Sequence, residues 1–255
     1  MLMEKNIKFN FSAKNFVLTG GGKGIGFATL KKLYESGANV ALITRSKSDV
    51  FQISKKFSNK KVFPFCGDVS IEEDRNFFFN KVKEKMKKID GLINNAGIRQ
   101  RKNFNEISQN DLDHIYEINL KSVFFLTQIF SKIIKKNTGS IINISSIVGP
   151  FGFKQLSGYA LSKSGLIGLT KSLAIEFSDK KIRVNSISPG FIKSSYASKF
   201  KKKLPNLYKY TLKRTPLNRW GTCEEVADLI LFLLSNNSLY INGNNIFIDG
   251  GWNAN

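Results

Sequence analysis

The sequence predicts an α/β fold: one doubly wound domain over residues 1–255, with a parallel sheet of about seven strands and helices on both faces. Three observations carry this prediction. The chain of 255 residues is long enough for one large core, and 42% of its residues are hydrophobic. Short apolar runs alternate with longer amphipathic segments, which is typical of parallel strands joined through helices. No internal repeat or linker-like stretch divides the chain.

Seven apolar runs are predicted to form the strands, at residues 16–18, 40–44, 62–63, 91–93, 140–144, 183–187 and 246–248. Helical patterns lie between them, for example at residues 25–35, 112–136 and 159–177. Ligands of such a sheet bind at the carboxyl ends of the strands, near the point where the strand order reverses. The basic segment 191–216 breaks the alternation, so we expect a lid or substrate loop within the domain at about residues 190–216.

The net charge of +21 favours one of two interpretations. An anionic partner, such as nucleic acid, an acidic carrier protein or an anionic substrate, would explain it. The alternative is a general enrichment in lysine on solvated faces. Lysines outnumber arginines by 33 to 7, and arginine is the residue suited to reading bases or gripping phosphates. We therefore favour the second interpretation and expect no nucleic-acid partner.

The chain begins without an apolar leader core, and no apolar run approaches the ~20 residues that a membrane span needs. We therefore expect a cytoplasmic protein with no membrane partner. Cys66 and Cys223 fit no metal-ligand spacing. We expect no metal site and two free, packed thiols.

A glycine-rich turn, TGGGKGIG from Thr19 to Gly26, follows the first predicted strand and opens the first predicted helix. Glycines permit a tight turn and let the backbone approach a pyrophosphate, while the helix N-terminus supplies free N–H groups. A glycine cluster alone usually marks an ordinary turn, but the strand–glycine–helix context favours a dinucleotide site. Its candidate binding residues are Gly20, Gly22, Lys23, Gly24, Ile25 and Gly26.

The end of the second strand bears on which dinucleotide binds. A site for an unphosphorylated ribose places Asp or Glu there, to accept a hydrogen bond from the 2′-hydroxyl. This chain has Thr44 and Arg45 at that point and no acid. Arg45 could hold a 2′-phosphate with help from Lys23, or it could be a solvated turn residue. We expect NADP(H) in preference to NAD(H), with Asp68 and Val69 within reach of the adenine.

A candidate proton-transfer group lies further along the chain. Tyr159 and Lys163 are four residues apart and share one helix face. The ordinary pKa of tyrosine is about 10, and a nearby ammonium lowers that pKa by stabilising the phenolate. Ser146 ends a predicted strand and can hydrogen-bond a substrate oxygen, and Asn119 could hold a water that links Lys163 to solvent. One such tyrosine–lysine pair is expected by chance, at about 0.9 for this composition, so the order of the motifs carries the interpretation.

These motifs together resemble the short-chain dehydrogenase/reductase family over residues 14–252. The glycine turn resembles that family's TGxxxGxG, and residues 94–97 match its NNAG. Residues 189–194 resemble its PGxxxT, with Ser194 keeping the hydroxyl of the usual threonine, and residues 248–252 resemble its closing strand. The residues that match the family's catalytic tetrad are Asn119, Ser146, Tyr159 and Lys163.

The resemblance implies a Rossmann fold and a homotetramer. It also implies a reaction in which NADPH delivers hydride to a carbonyl carbon, or the reverse oxidation of a secondary alcohol. Tyr159 then protonates the oxygen, Ser146 polarises it, Lys163 binds the ribose and acidifies Tyr159, and Asn119 supports the proton relay. The further cofactor residues that the resemblance implies are Asn95, Ala96, Gly97, Tyr159, Lys163, Pro189, Gly190, Ile192 and Ser194.

Two groups within the family compete as guides to the substrate. Dehydrogenases of gluconate or deoxygluconate resemble residues 95–101, 213–216 and 219–221, and Arg99 could pair with a carboxylate. The 3-oxoacyl-(acyl carrier protein) reductases resemble residues 165–168 and 189–192, and lysine pairs at residues 135–136 and 180–181 could dock an acidic carrier. We expect a sugar-acid or polyol type of substrate, with the acyl carrier protein thioester as the alternative.

Other classes of protein fit less well. A non-enzymatic dinucleotide sensor would be expected to lack the tyrosine or the lysine of the catalytic pair, and both are present. A serine hydrolase is excluded because the single histidine, His114, lies on a polar helical segment far from any Gly-x-Ser-x-Gly turn. We expect His114 to be a surface or packing residue.

Overall fold

The computed structural model describes residues 8–58 and 60–254. Its main sheet has seven parallel strands in the order β3-β2-β1-β4-β5-β6-β9. The order reverses between β1 and β4, so the crevice expected of a doubly wound sheet lies at the carboxyl ends of these strands. The strands are β1 (Asn15–Thr19), β2 (Asn39–Thr44), β3 (Val62–Cys66), β4 (Gly91–Asn94), β5 (Ser140–Ile144), β6 (Arg183–Pro189) and β9 (Asn245–Ile248), and a separate parallel pair is formed by β7 (Ile192–Lys193) and β8 (Gly221–Thr222).

Helices cover the sheet on both faces. They are α1 (Gly24–Glu35), α2 (Lys47–Lys56), α3 (Glu72–Met86), α4 (Gln109–Tyr116), α5 (Ser122–Phe130), α6 (Ser157–Glu176), α7 (Ser195–Lys203), α8 (Pro205–Arg214) and α9 (Cys223–Leu234). The predicted single-domain, doubly wound α/β fold is confirmed, and each of the seven predicted apolar runs lies within a strand of the main sheet.

The core divides into two layers because successive side chains of a strand point to opposite faces. In β1, Phe16 and Leu18 pack with α1 and α9 on one face, whereas Val17 packs with α3 and α5 on the other. All three side chains are buried. Burial of an apolar side chain of this size contributes about 1.5–3 kcal/mol to the stability of the fold. Because β1 is anchored in both layers, the end of the strand is held in a fixed position at the cleft.

Two helical predictions need correction. The pattern at 112–136 predicted one helix, but the structure has α4, a π-helical turn at Glu117–Lys121, and α5, which ends at Phe130. The segment 191–216, predicted as a loop, contains α7 and α8. Aromatic anchors explain this second difference: Phe200 and Trp220 are each only 2% exposed, so the segment is packed onto the domain.

The remaining features have simple placements. His114 is exposed on α4, as predicted. Cys223 is buried, but Cys66 is exposed, so only one of the two free thiols is packed. Within the described parts of the chain, no group of three His, Cys, Asp or Glu side chains could hold a metal ion. None of the helices in those parts combines the length and apolar character that crossing a bilayer requires.

Candidate active site

The candidate site lies where β1, β2, β4, β5 and β6 end. A cleft with a volume of about 400 Å³ opens at this edge of the sheet. It brings together most of the predicted cofactor residues, namely Gly20, Gly22, Lys23, Gly24, Ile25, Thr44, Arg45, Asp68, Val69, Asn95, Ala96, Gly97, Ile192 and Ser194. The other five, Gly26, Tyr159, Lys163, Pro189 and Gly190, lie next to the cleft rather than in its lining.

The turn after β1 has a shape that needs glycine. Gly20 and Gly24 have φ angles of 73° and 58°, in the left-handed region that other residues rarely adopt. A Cβ on Gly26 would collide with the carbonyl oxygen of Gly20, so Gly26 serves close packing of the helix on the turn. Lys23 precedes α1 without capping it through its side chain. The first N–H groups of α1 are therefore available to a phosphate.

Thr19 is a site residue that the sequence reasoning missed. Its hydroxyl oxygen accepts hydrogen bonds from the backbone N–H groups of Asn95 at 3.0 Å and Ala96 at 2.9 Å. Asn95 Nδ2 in turn donates to the carbonyl oxygens of Thr19 and Gly20, at 3.0 and 2.9 Å. These bonds join the ends of β1 and β4 into one rigid wall. The threonine that leads the glycine motif was the available signal.

At the end of β2, Arg45 extends along the cleft toward Asp68, with Nη1 and Oδ2 3.6 Å apart. Ser70 donates to Asp68 from its backbone N–H at 2.9 Å and its hydroxyl at 2.7 Å. Burial acts to raise the pKa of Asp68, but these bonds and the Arg45 charge outweigh burial and hold that pKa below its ordinary value. Asp68 therefore stays ionised beside Arg45. Asp49, which the sequence reasoning also missed, lines the same end of the cleft.

The opposite end of the cleft is formed by residues after β4 and β6. Gly190 packs so closely on the chain's closing segment that a Cβ there would lie 2.8 Å from Asp249 Cα. Beyond it, Ser194 faces the glycine turn, since a Cβ on Gly24 would lie 4.0 Å from Ser194 Cβ. A Cβ on Gly97 would lie 3.6 Å from Lys163 Nζ. The cleft therefore reaches Lys163 at this end.

Asn119 lies in the π-helical turn between α4 and α5 and is fully buried. Its Oδ1 accepts from the Ile98 N–H at 2.8 Å, and its Nδ2 donates to the Ile98 carbonyl at 2.9 Å and to Ser162 Oγ at 3.1 Å. Both amide hydrogens are therefore in use. The side chain thereby fixes the backbone that follows Gly97, and the water link to Lys163 stays a prediction.

Lys163 is buried on α6, and its Nζ donates to the Ile144 carbonyl at the end of β5, at 2.7 Å. Burial lowers the pKa of Lys163 to about 8, so its positive charge is lost as the pH rises through that value. Ser145 holds the same helix to the strand end, because its hydroxyl donates to the Lys163 carbonyl at 2.9 Å. The ammonium lies 5.7 Å from the centre of the Tyr159 ring.

Tyr159 lies on the same face of α6, with Ser146 near its hydroxyl. Burial raises the pKa of Tyr159 above its ordinary value, while the charge of Arg99 and the neighbouring Ser146 hydroxyl act in the opposite direction. We predicted that Lys163 would make the phenol acidic. In the structure, burial of the phenol outweighs the groups that lower its pKa, and the neighbouring charge that favours ionisation is that of Arg99.

A smaller cavity of about 70 Å³ adjoins the cleft at Ile192 and includes Ser146 and Arg99 in its lining. Aromatic rings form much of its wall. The centre of the Phe191 ring lies 5.3 Å from that of Trp220 and 5.2 Å from that of Trp252. A carbonyl compound placed here would meet the Ser146 hydroxyl and Arg99 on one side and an apolar wall on the other.

A doubly wound sheet with a glycine turn in its crevice, and beside it a buried lysine next to a half-buried tyrosine, defines the class: a nicotinamide-dependent oxidoreductase. Comparisons with known proteins assign the family. A family model described as enoyl-(acyl carrier protein) reductase matches residues 20–253. The chain belongs to the short-chain dehydrogenase/reductase family, which confirms the resemblance and the reaction class, interconversion of carbonyl and alcohol groups.

Individual relatives span nearly the whole chain. The 3-oxoacyl-[acyl-carrier-protein] reductase FabG of Thermotoga maritima is 39% identical over 92% of this chain and 96% of its own. The carbonyl reductase [NADPH] 2 of Sus scrofa is 33% identical over 97% and 100% of the two chains. A crystal structure of a short-chain dehydrogenase/reductase (glucose/ribitol dehydrogenase) from Brucella melitensis superposes with a TM-score of 0.91, at 30% identity, over 96% of this chain and 99% of that one.

Proposed function

We propose that this enzyme uses NADPH to reduce the 3-oxo group of an acyl thioester presented by an acyl carrier protein. The observation that carries the proposal is the grouping of Ser146, Tyr159 and Lys163 next to the cleft. Ser146 lines a cavity that adjoins the cleft and acts on the pKa of Tyr159, and Lys163 Nζ lies 5.7 Å from the centre of the Tyr159 ring. Relatives from Thermotoga maritima and Aquifex aeolicus bear the name 3-oxoacyl-[acyl-carrier-protein] reductase, and this reverses the order of preference that the sequence suggested.

The proposed mechanism assigns one task to each polar group. A bound nicotinamide would supply the hydride that reduces the carbonyl carbon. Ser146 Oγ donates a hydrogen bond to the substrate oxygen, and the Tyr159 hydroxyl gives that oxygen its proton. Lys163, held by the Ile144 carbonyl, binds the cofactor ribose and favours the phenolate that remains. Asn119 positions the backbone after Gly97 so that this arrangement is rigid.

The residues of the cleft fit a dinucleotide. The glycine turn leaves the N-terminus of α1 open to a pyrophosphate, and a Cβ on Gly20 would lie 2.9 Å from Ala96 Cα, so the close backbone approach depends on glycine. We propose NADP(H) as the cofactor, with Arg45 and Lys23 as the cations nearest to a 2′-phosphate. Asp68 and Val69 would adjoin the adenine.

A keto-sugar acid is the second candidate substrate, and Arg99 favours it. Arg99 lines the small cavity together with Ser146, where a guanidinium can bind a carboxylate next to the reacting carbonyl. The same group can hydrogen-bond the thioester oxygen of a 3-oxoacyl chain. The cavity alone therefore does not choose between the two substrates.

The lysine pairs suggested for carrier docking lie away from this subunit's own catalytic cavity. Lys135, Lys136 and Lys180 line a groove of about 490 Å³. They precede β5 and β6, so they lie at the amino edge of the sheet, opposite the cleft. Lys135 also pairs with Asp90 at 3.1 Å. A carrier bound in this groove would lie at the edge of the sheet opposite the cleft.

A homotetramer is the proposed assembly. An open apolar groove of about 510 Å³ lies between the π-helical turn, α5 and α6, lined by residues that include Leu120 and Leu169. Phe124 beside it is 45% exposed, and Leu161 on α6 is 58% exposed. Exposed apolar clusters of this kind mark association surfaces. The cytoplasmic location predicted from the sequence stays a prediction.

The test is a substrate screen with purified protein that follows absorbance of the reduced nicotinamide. Acetoacetyl thioesters of acyl carrier protein and a panel of keto-sugar acids are compared at equal concentration, with Tyr159→Phe as the background control. Tyrosine-dependent NADPH oxidation with the thioester supports the proposal. Oxidation with the sugar acids alone supports the second candidate, and no tyrosine-dependent oxidation with either refutes both.

A further inference from the structure

Asp49 is an acidic residue at the end of the cleft that the end of β2 and the glycine turn form. Asp49 lies in the first turn of α2, where its backbone N–H donates to the N-cap hydroxyl of Ser46 at 3.1 Å. Its carboxylate folds back against the glycine turn, so that a Cβ on Gly22 would collide with it. Thr44 donates to Asp49 Oδ2 in a long hydrogen bond of 3.5 Å. The carboxylate therefore lies between the end of β2 and the phosphate turn.

The charges around Asp49 are mixed. Arg45 and Lys23 are cations of the same cleft, but Arg45 lies 3.6 Å from the carboxylate of Asp68. A 2′-phosphate carries nearly two negative charges near neutral pH. It would meet the carboxylate of Asp49 and compete with Asp68 for Arg45. A 2′-hydroxyl, in contrast, can donate a hydrogen bond to a carboxylate.

We propose that Asp49 is the residue that discriminates between the two dinucleotides. Its carboxylate accepts a hydrogen bond from an unphosphorylated ribose and repels a 2′-phosphate, so the cleft takes NAD(H) as well as NADP(H). The acid normally sought directly after the second strand is supplied here from the first turn of the following helix. This inference rests on the proposed use of a nicotinamide dinucleotide and is independent of the substrate.

Asp49→Asn removes the charge and keeps the size of the side chain. We expect the dissociation constant of NADP+ to fall about tenfold, the order of effect that like charges several ångströms apart produce at a partly exposed site. The dissociation constant of NAD+ should rise a few-fold, because an amide oxygen is a weaker acceptor than a carboxylate. Asp179→Asn is the matched control, since it removes the same charge at an exposed position at the amino edge of the sheet.

Binding is measured by isothermal titration calorimetry on the ligand-free protein, without any turnover. The titrants are NADP+, NAD+, adenosine 2′,5′-bisphosphate and adenosine 5′-monophosphate. A tenfold gain for the two 2′-phosphorylated titrants in Asp49→Asn, absent from Asp179→Asn, supports the inference. Asp49→Ser should show the same gain, which checks that the asparagine itself makes no new contact.

The opposing outcomes are distinct. An unchanged ratio of NADP+ to NAD+ affinity in Asp49→Asn, with both dinucleotides still bound, overturns the role of Asp49 and leaves the proposed function standing. Equal changes in the dissociation constant of NADP+ in Asp49→Asn and Asp179→Asn would show that only the net charge of the protein matters, which also overturns that role. Failure of the parent protein to bind either dinucleotide overturns the inference and the proposed function together.

Discussion

Replacement of Tyr159 by phenylalanine is the most direct test of the proposed chemistry. The substitution removes one hydroxyl and keeps the ring, so the ammonium of Lys163 retains its neighbour at 5.7 Å from the ring centre. The lost interaction of this hydroxyl with Ser146 costs at most about 1 kcal/mol of stability. The variant is therefore expected to remain folded.

The expected loss of activity is much larger than the loss of stability. Proton transfer by a positioned side chain contributes about 10²–10⁴-fold to rate, and in the described site Tyr159 is the group that we assign to this transfer. We expect kcat to fall by at least 10²-fold. The dissociation constant of NADPH should change by less than about threefold, because the glycine turn and Lys163 are untouched.

The assay pairs steady-state NADPH oxidation with nicotinamide fluorescence titration on the same preparations. Ser238→Ala is a suitable control, because it removes a buried hydroxyl that bonds the Leu233 carbonyl at 3.1 Å, away from the cleft. Turnover of Tyr159→Phe near the parent rate would refute the assignment of the proton donor. Loss of turnover together with loss of NADPH binding would instead show that the tyrosine acts in cofactor binding.

Three further variants test other parts of the site. Arg45→Asp should shift the ratio of NADPH to NADH affinity at least tenfold toward NADH, measured by fluorescence titration, and an unchanged ratio would show that Arg45 does not meet the 2′-phosphate. Arg99→Gln removes a charge that lowers the pKa of Tyr159, so the basic limb of kcat/KM for carbonyl reduction, where Tyr159 loses the proton that it must donate, should move to higher pH; a limb that stays in place contradicts this electrostatic role. Burial lowers the pKa of Lys163 from 10.5 in the unfolded chain to about 8 in the folded protein. Between pH 8 and pH 10.5 the unfolded chain therefore keeps a proton that the folded protein has lost. Because the unfolded state binds more protons in this range, the free energy of unfolding of the parent rises with pH. The free energy of unfolding of the parent relative to Lys163→Met, from urea melts, should grow by up to about 3 kcal/mol over this window, and a pH-independent difference would show that the ammonium is not desolvated.

The sequence predicted the parts of the site that follow strand ends. Gly20, Asn95 and Ser146 each come directly after a short apolar run, and parallel strands bring their carboxyl ends to one edge of the sheet. Their meeting in space therefore follows from topology alone. The same reasoning located every strand of the main sheet, because buried strands show as apolar runs.

Asp49 shows why other parts of the site could not be predicted from the sequence. It lies five residues beyond Thr44, and its approach to Gly22 depends on the direction in which α2 leaves the strand. Residue spacing does not contain that direction. The helices of segment 191–216 were missed for a related reason, since Phe191 and Tyr210 of this segment pack on the ring of Trp252 near the end of the sequence. Long-range packing of this kind leaves little periodic signal in the segment itself.

The cation that favours ionisation of Tyr159 in the structure lies outside its own helix. Lys163 comes from α6 and is bound to the Ile144 carbonyl, whereas Arg99 follows β4 and is the charge that favours the phenolate in the structure. Because Asn119 fixes the Ile98 backbone next to Arg99, a change at Asn119 should disturb that charge as well. Asn119→Ala should therefore raise the apparent pKa of the basic limb in the same direction as Arg99→Gln. If the two effects share this route, the double variant will shift the limb by less than the sum of the single shifts, and a fully additive shift would separate them.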